Sequence, residues 1–458
     1  MSSSLYKNKS TKIDMTSGSI MKNVLLFAIP IVIGNILQQL YTTVDTLVVS
    51  NFCGDSALAA VGTSSQPVEV LLCIFLGIGA GVSILVSQSV GAGKMDRVKD
   101  LSATAVSFIY MTGIPIALLG WMLTPFILQF MHVPEDVWNE ALIYTRIVFL
   151  GALGNIGYNM NAGILRGLGD SAASLWFLIV SGIANIILDL VFVAGMGYGV
   201  AGAAAATSIA MFLSWLVSIF YIRKRFSELQ FSVLPRTMNR HDLKAILEIG
   251  LPIGLNNSLF SFGHMALQIL VNEQGRQFMA GASVAGRITG LTNIAITAMS
   301  SAASTFAGQN YGASNYRRLK DGYIMIPFVS GILTLSFGLM AISFRMPILR
   351  FFSQDEMVLL YASRYVVVIL LSQWCYAVFN CISNIVNGLG YVKYTTLINL
   401  MMLWAVRIPT AYVIDRFFDG TYIMVCFPIS FLFGMLCMIG YYVFSPSWKE
   451  VMSRADRF

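Results

Sequence analysis

The feature that most constrains this chain is a series of apolar blocks, each about twenty residues or more, recurring from Val24 to the end. A block of ~20 apolar residues, rising ~1.5 Å per residue as a helix, covers the ~30 Å hydrocarbon core of a bilayer. Charged residues make up only 11% of the chain and hydrophobic ones 57%, where a soluble domain carries about a quarter charged. The chain therefore reads as an all-α polytopic membrane protein with twelve transmembrane helices. The spans begin near Val24, Ala57, Leu101, Val137, Ala172, Val200, Leu243, Met279, Leu319, Met357, Tyr394 and Thr421. The first block is too long for a signal-peptide core and carries no small-residue cleavage pattern, so it is expected to stay as a helix.

Lysine and arginine set the orientation. One set of connections and ends carries Lys7, Lys9, Lys12, Lys22, then Lys94, Arg97, Lys99, then Arg223, Lys224, Arg225, Arg236, Arg240. Arg317, Arg318, Lys320, Lys449, Arg454 and Arg457 continue it, whereas the alternate connections hold only Arg276, Arg345, Arg350 and Arg416. Both termini are thus expected in the cytoplasm of a cell with the protein in its plasma membrane. The net charge of +7 has this origin, and no nucleic-acid partner is implied. The six cysteines (Cys53, Cys73, Cys375, Cys381, Cys426, Cys437) show neither CxxC nor Cys/His ligand spacing. They read as small buried hydrophobes rather than as disulfides or metal ligands.

The chain is also duplicated. "SQSVGAGKMDRVKD" (87–100) aligns with "AGQNYGASNYRRLKD" (307–321), through Gln88/Gln309, Gly91/Gly312, Ala92/Ala313, Arg97/Arg318, Lys99/Lys320 and Asp100/Asp321. At the same offset "ILRGLGD" (164–170) matches "IVNGLGY" (385–391), and "AIPI" (28–31) answers "GLPI" (250–253) one residue out of step. Each copy holds six spans, an even number, so both enter the membrane from one side. Two six-helix bundles related by a pseudo-two-fold axis along the membrane normal follow, as in parallel-repeat transporters. The expected divisions are an N-terminal segment (1–23), a first bundle (24–222), a linker (223–242), a second bundle (243–445) and a tail (446–458).

Few acidic residues fall deep inside the spans; Asp45, Glu69 and Asp189 are the clear ones. An intramembrane carboxylate costs roughly 2.5–3.5 kcal/mol on insertion scales, and such residues mark ion and substrate pathways. Asn185 and Asp189 share a helix face at i, i+4, and Asp45 is expected at the same depth in the outer half. Thr207 reaches that level from the sixth span, while Tyr41 and Gln38 precede Asp45 on its face. The duplication maps Asp45 onto Ala266 or Leu267, Asn185 onto Val406 and Asp189 onto Thr410. The carboxylates exist in one copy only, which favours a function over an architectural need. Two carboxyls in a low-dielectric bundle lose hydration and repel each other, and a bound proton or monovalent cation relieves both costs.

These motifs together resemble the multidrug and toxic compound extrusion (MATE) family of efflux transporters, bacterial type. The carrying stretches are "IPIVIGNILQQLYTTVDTLVVS" (29–50), "VSQSVGAGKMDRV" (86–98), "GILRGLGD" (163–170), "NIILDLVFV" (185–193) and "GVAGAAAATS" (199–208). The resemblance implies a cation-coupled antiporter, driven by H⁺ or Na⁺, that exports amphipathic, often cationic, organic compounds by alternating access. It further implies a coupling cluster at Asp45, Asn185, Asp189 and Thr207, which is also where any Na⁺ would bind, and no cofactor beyond that ion. Some members rely instead on acidic residues in the seventh and tenth spans; the approximate positions here are Phe260 and Tyr376.

Glu69, Met160, Phe262 and Met265 are candidates for lining a substrate cleft, with Glu69 either lining it or pairing locally. Glu273 and Arg287 are expected to form a structural pair, and Arg146, Arg364 and Arg407 to face protein interior or snorkel. The alternative reading within transport is a flippase for lipid-linked saccharides, which would line its cleft with several Arg or Lys. A polytopic enzyme would need a His/Asp/Glu or Cys/His grouping of catalytic spacing, which the sequence lacks. A monomer in the lipid bilayer, with small organic cations or amphipathic drugs as its ligands, is the expected working state.

Overall fold

The computed structural model describes residues 12–235 and 238–455; Lys7, Lys9, Arg236 and Arg457 lie outside the described residues. The first half contributes α1 (Ile20–Cys53), α2 (Asp55–Gly91), α3 (Met95–Phe130), α4 (Glu135–Leu168), α5 (Ser171–Asp189) and α6 (Gly199–Arg225). A π-helical segment, Leu190–Gly195, extends α5. The second half contributes α7 (Arg240–Glu273), α8 (Arg276–Gly312), α9 (Tyr316–Ser343), a short α10 (Arg345–Phe352) and α11 (Glu356–Gly388). Then α12 (Val392–Leu400) and α13 (Ile408–Phe417) flank a second π segment, Met401–Arg407, and α14 (Cys426–Phe444) and α15 (Pro446–Ala455) end the chain. Every span starts within a few residues of its expected place. Among the described residues eleven helices are both long and apolar enough to cross a membrane. The twelfth, α8, is long enough but richer in Ser, Thr and Asn; it packs along α11 and borders the cleft between the bundles, where those side chains meet protein.

Each bundle sends its first helix onto the second helix of the other. Val24, Phe27 and Ala28 of α1 pack with Ala298, Ala302 and Phe306 of α8. Reciprocally, Ile246 and Ile249 of α7 pack with Ile78 and Val82 of α2. These contacts lie at the end of the molecule that carries the N-terminal segment and the linker, called here the linker end. Two duplicated pairs read from the sequence meet there. Gln88 Nε2 donates to the Gly388 carbonyl at 2.8 Å, and Gln309 Nε2 donates to the Gly167 carbonyl at 3.2 Å. Each glutamine thus clasps the "GLG" turn of the opposite bundle.

Glycine is required where α2 and α8 cross. A Cβ on Gly91 would sit 1.9 Å from the Gln309 carbonyl oxygen, and one on Gly312 would sit 1.9 Å from that of Gln88. The next residues in the clasp, Gly169 and Gly390, have φ of 91° and 96°, the left-handed conformation that caps a helix C-terminus. The N-terminal segment is drawn into the same seam. Ile13 N donates to Gly169 O at 2.9 Å in the first bundle, and Met15 N to Gln309 Oε1 at 3.1 Å in the second. Arg318 Nε and Asn310 Nδ2 both donate to the Met15 carbonyl at 3.0 Å. The linker end is closed in this conformation.

Candidate functional site

In the first bundle α1 and α5 run side by side. The Ser171 hydroxyl donates to the Phe27 carbonyl at 2.8 Å near the linker end, and Gly34 then lets Leu175 and Leu178 approach α1. A turn or two further on the Tyr41 ring lies against Gly182. One more turn brings Asp45 opposite Asp189, the last residue of α5 before the π segment. The two carboxyls are close enough to share a hydrogen bond when one carries a proton. Asp189 and Asn185 are fully buried, and Asp45 is half-buried. Asn185 Nδ2 donates to Thr207 Oγ1 of α6 at 3.3 Å. The expected quartet is therefore assembled, drawn from three helices.

Its polar balance is one-sided. Asp189 Oδ1 and Oδ2, Asp45 Oδ1 and Asn185 Oδ1 are all buried acceptors that no donor among the described residues reaches. Buried acceptors are ordinarily satisfied, and leaving one without a donor costs about 1–3 kcal/mol, more for a charged group. Two unit charges ~4 Å apart at an effective dielectric of ~20 repel by about 4 kcal/mol. An interhelical hydrogen bond in a membrane averages only ~0.6 kcal/mol. With both carboxyls ionised the pair costs more than such a bond returns, whereas a proton or a monovalent cation held between these oxygens relieves the imbalance. Tyr144 of α4 is buried with Val48 and Val49 of α1, within electrostatic range of both carboxyls. Sequence reasoning missed it: a tyrosine amid the apolar residues of "ALIYTRIVFLG" carries no phase signal that separates this role from packing.

The supporting and cleft candidates divide. Gln38 is exposed and meets the Tyr41 side chain. Gln38 and Glu69 both line a cavity of about 390 Å³ in the first bundle, together with Pro30, Asn155, Asn159 and Arg166. Met160 does not line it. It is fully buried in the first-bundle core, on the face of α4 that backs onto α2. Phe262 and Met265 are exposed on α7 and line none of the described cavities; their neighbours His264 and Gln268 face the cavity of the second bundle instead. Glu273 and Arg287 are not paired either. Arg287 lies three turns into α8 and its guanidinium stands 6.0 Å from the Phe352 ring. Arg146 stacks on Trp121 at 4.7 Å, and Arg407 is fully buried.

A second cavity, of about 340 Å³, lies in the seam between the bundles towards the linker end. Asn256, Asn257, Ser301, Asn380, Asn384 and other amides and hydroxyls line it, and Arg166 is its one charged residue among those described.

The family model MatE matches twice, over residues 30–191 and 252–413, one match in each half of the duplication. The chain belongs to the MatE family. It is a bacterial-type MATE efflux transporter, with the two-bundle, twelve-span arrangement of that fold. Over 448 residues it is 30% identical to the probable multidrug resistance protein YoeA of Bacillus subtilis (strain 168), covering 94% of this chain and 95% of that one. The probable multidrug resistance protein NorM of Thermotoga maritima is 24% identical, with 91% and 90% covered. Among solved structures, an outward-facing conformation of a multidrug resistance MATE family transporter of the MOP superfamily superposes with a TM-score of 0.88 at 21% identity. That match covers 98% of this chain and all of the other. The fold resemblance thus spans the whole of both bundles.

Proposed function

We propose that this MATE transporter exports amphipathic organic cations and drugs in exchange for H⁺ or Na⁺, by alternating access, with Asp45, Asn185, Asp189 and Thr207 holding the coupling ion. The observation that carries this reading is the group of four buried acceptor oxygens without donors on α1 and α5. The coupling ion is cargo: it enters where the carboxyls face one another, cancels their repulsion, and lets α1 pack more closely on α5. The neighbouring cavity, where Glu69 and Arg166 offset one another and Gln38, Asn155 and Asn159 add neutral polar groups, is the drug site in this reading, and ion and drug compete through α1, which carries both Gln38 and Asp45. The linker end is assigned to the cytoplasm from the Lys/Arg bias. In that frame the Gln88–Gly388 and Gln309–Gly167 clasp is the cytoplasmic gate, shut in this conformation. A flippase for lipid-linked saccharides is less well matched, because the seam cavity offers a single arginine where several Arg or Lys would be needed.

Two experiments test this. Proteoliposomes loaded with ethidium should export it under a ΔpH or a Na⁺ gradient and stop when an ionophore collapses that gradient; export indifferent to both gradients would end the coupling proposal. For orientation, cysteines introduced at Ser227 and Ser314 in a cysteine-free background should react with an impermeant maleimide only in inverted vesicles, and one at Asp136 only in intact cells. Labelling of Ser227→Cys in intact cells would reverse the orientation.

A further inference from the structure

The second bundle buries a charge of the opposite sign. Arg407 ends the π segment Met401–Arg407 and is only 1% exposed. Its Nε donates to Ser430 Oγ at 2.9 Å, while Nη2 meets no acceptor among the described residues. No carboxylate of those residues lies within ion-pair distance of it. A guanidinium cannot escape this cost by losing its proton, since arginine stays charged in proteins. What faces it instead are aromatic rings, Phe427 at 4.7 Å, Phe431 at 5.0 Å and Phe260 at 5.6 Å. Cation–π attraction returns part of the burial cost and draws the rings' electron density towards the guanidinium.

Phe427 and Phe431 are also one wall of a cavity of about 680 Å³ inside the second bundle, between α7, α8, α11 and α14. Its lining contains no Asp, Glu, Lys or Arg. It does contain Gln373, 1% exposed, whose Nε2 donates to Asn293 Oδ1 at 2.9 Å and to Thr289 O at 3.3 Å. Gln373 Oε1 is left as a buried acceptor without a partner. An aromatic wall whose two rings also meet a fixed positive charge, beside one buried unpaired polar atom, is the arrangement of a ligand pocket rather than of a packed core.

We propose that this cavity is a second ligand site, independent of the first-bundle carboxylates, and that it takes aromatic organic anions such as arene carboxylates. The ligand ring packs on Phe427 and Phe431, the two rings nearest the Arg407 guanidinium. Its negative group lies in the field of that guanidinium, and a neutral N–H or O–H on the ligand meets Gln373 Oε1. The same field repels cations.

Isothermal titration calorimetry of the full-length protein in nanodiscs, with 2-naphthoate, neutral 2-naphthamide and 2-naphthylmethylammonium, tests this. The wild type should bind naphthoate about tenfold more tightly than the ammonium analogue, with the amide between them. Arg407→Gln should abolish that preference and Arg407→Lys should retain it. Gly286 lines the cavity, and a Cβ there would meet nothing within 4 Å, so Gly286→Leu fills the space without straining the fold. It should weaken naphthoate at least tenfold and leave ethidium binding within twofold. Should Arg407→Gln fail to fold, the wild-type ranking and Gly286→Leu still decide. Equal affinity of the wild type for naphthoate and the ammonium analogue, or naphthoate binding unchanged in Gly286→Leu, would overturn the proposal.

Discussion

Asp45→Asn and Asp189→Asn should each reduce gradient-driven export to background while leaving the protein folded in the membrane. Asparagine is nearly isosteric with aspartate and keeps a carbonyl acceptor, but it neither titrates nor carries charge. A structural hydrogen bond would survive the change, and the Asn185–Thr207 contact beside it involves neither carboxylate. What is removed is the imbalance itself, the buried acceptors that a proton or cation completes. Substrate affinity should move by no more than about threefold, roughly 0.6 kcal/mol, because neither carboxylate lines the drug cavity. Asn185→Ala and Thr207→Ala each remove a neutral oxygen and should weaken coupling without abolishing it. The check is export and binding for each variant at matched incorporation. Wild-type export rates in both Asp→Asn variants would leave the fold without the mechanism proposed for it.

The second large effect concerns the seam. Gly91→Val and Gly312→Val should each cut export at least tenfold by holding the linker end open. The added Cβ would stand 1.9 Å from a carbonyl oxygen of the opposite bundle, and backbone at a helix crossing cannot yield as a flexible side chain can. Gln88→Ala removes one hydrogen bond and Gln309→Ala two, each worth about 0.5–1.5 kcal/mol, and both should shift the population less than the glycine variants do. A cysteine at Ser304, which lines the seam cavity, reports the change. In inverted vesicles it should react slowly with an impermeant maleimide in the parent and fast in the glycine variants. Unchanged reactivity together with normal export would remove the seam from the transport cycle.

The sequence made much of this legible because the signals were long and repeated. Blocks of twenty apolar residues locate the spans, and the Gln88/Gln309 and Gly167/Gly388 matches turn out to be partners across the pseudo-two-fold axis. The carboxylates stood out because a charge in an apolar run has few bland explanations. Other residues could not be placed this way. In a membrane bundle both the lipid-facing and the core-facing sides of a helix are apolar, so Met160, buried in the core, and Phe262 and Met265, exposed, carried the same signal. Arg407 looked like any of three intramembrane arginines; its seclusion depends on Phe260, Phe427 and Phe431, which converge from α7 and α14. Tyr144 was hidden for the same reason, since its role comes from what α1 and α5 bring to it.

Ligand and coupling ion should exclude one another through Asp45 and Asp189. The direct measurement is ion release on ligand binding. Purified wild-type protein in weakly buffered detergent solution is mixed with ethidium while a pH indicator reports protons and a Na⁺ electrode reports sodium. One of these ions should be released on binding, and none from Asp189→Asn at the same ethidium occupancy. Equal release from the wild type and Asp189→Asn, or none from either, would contradict it.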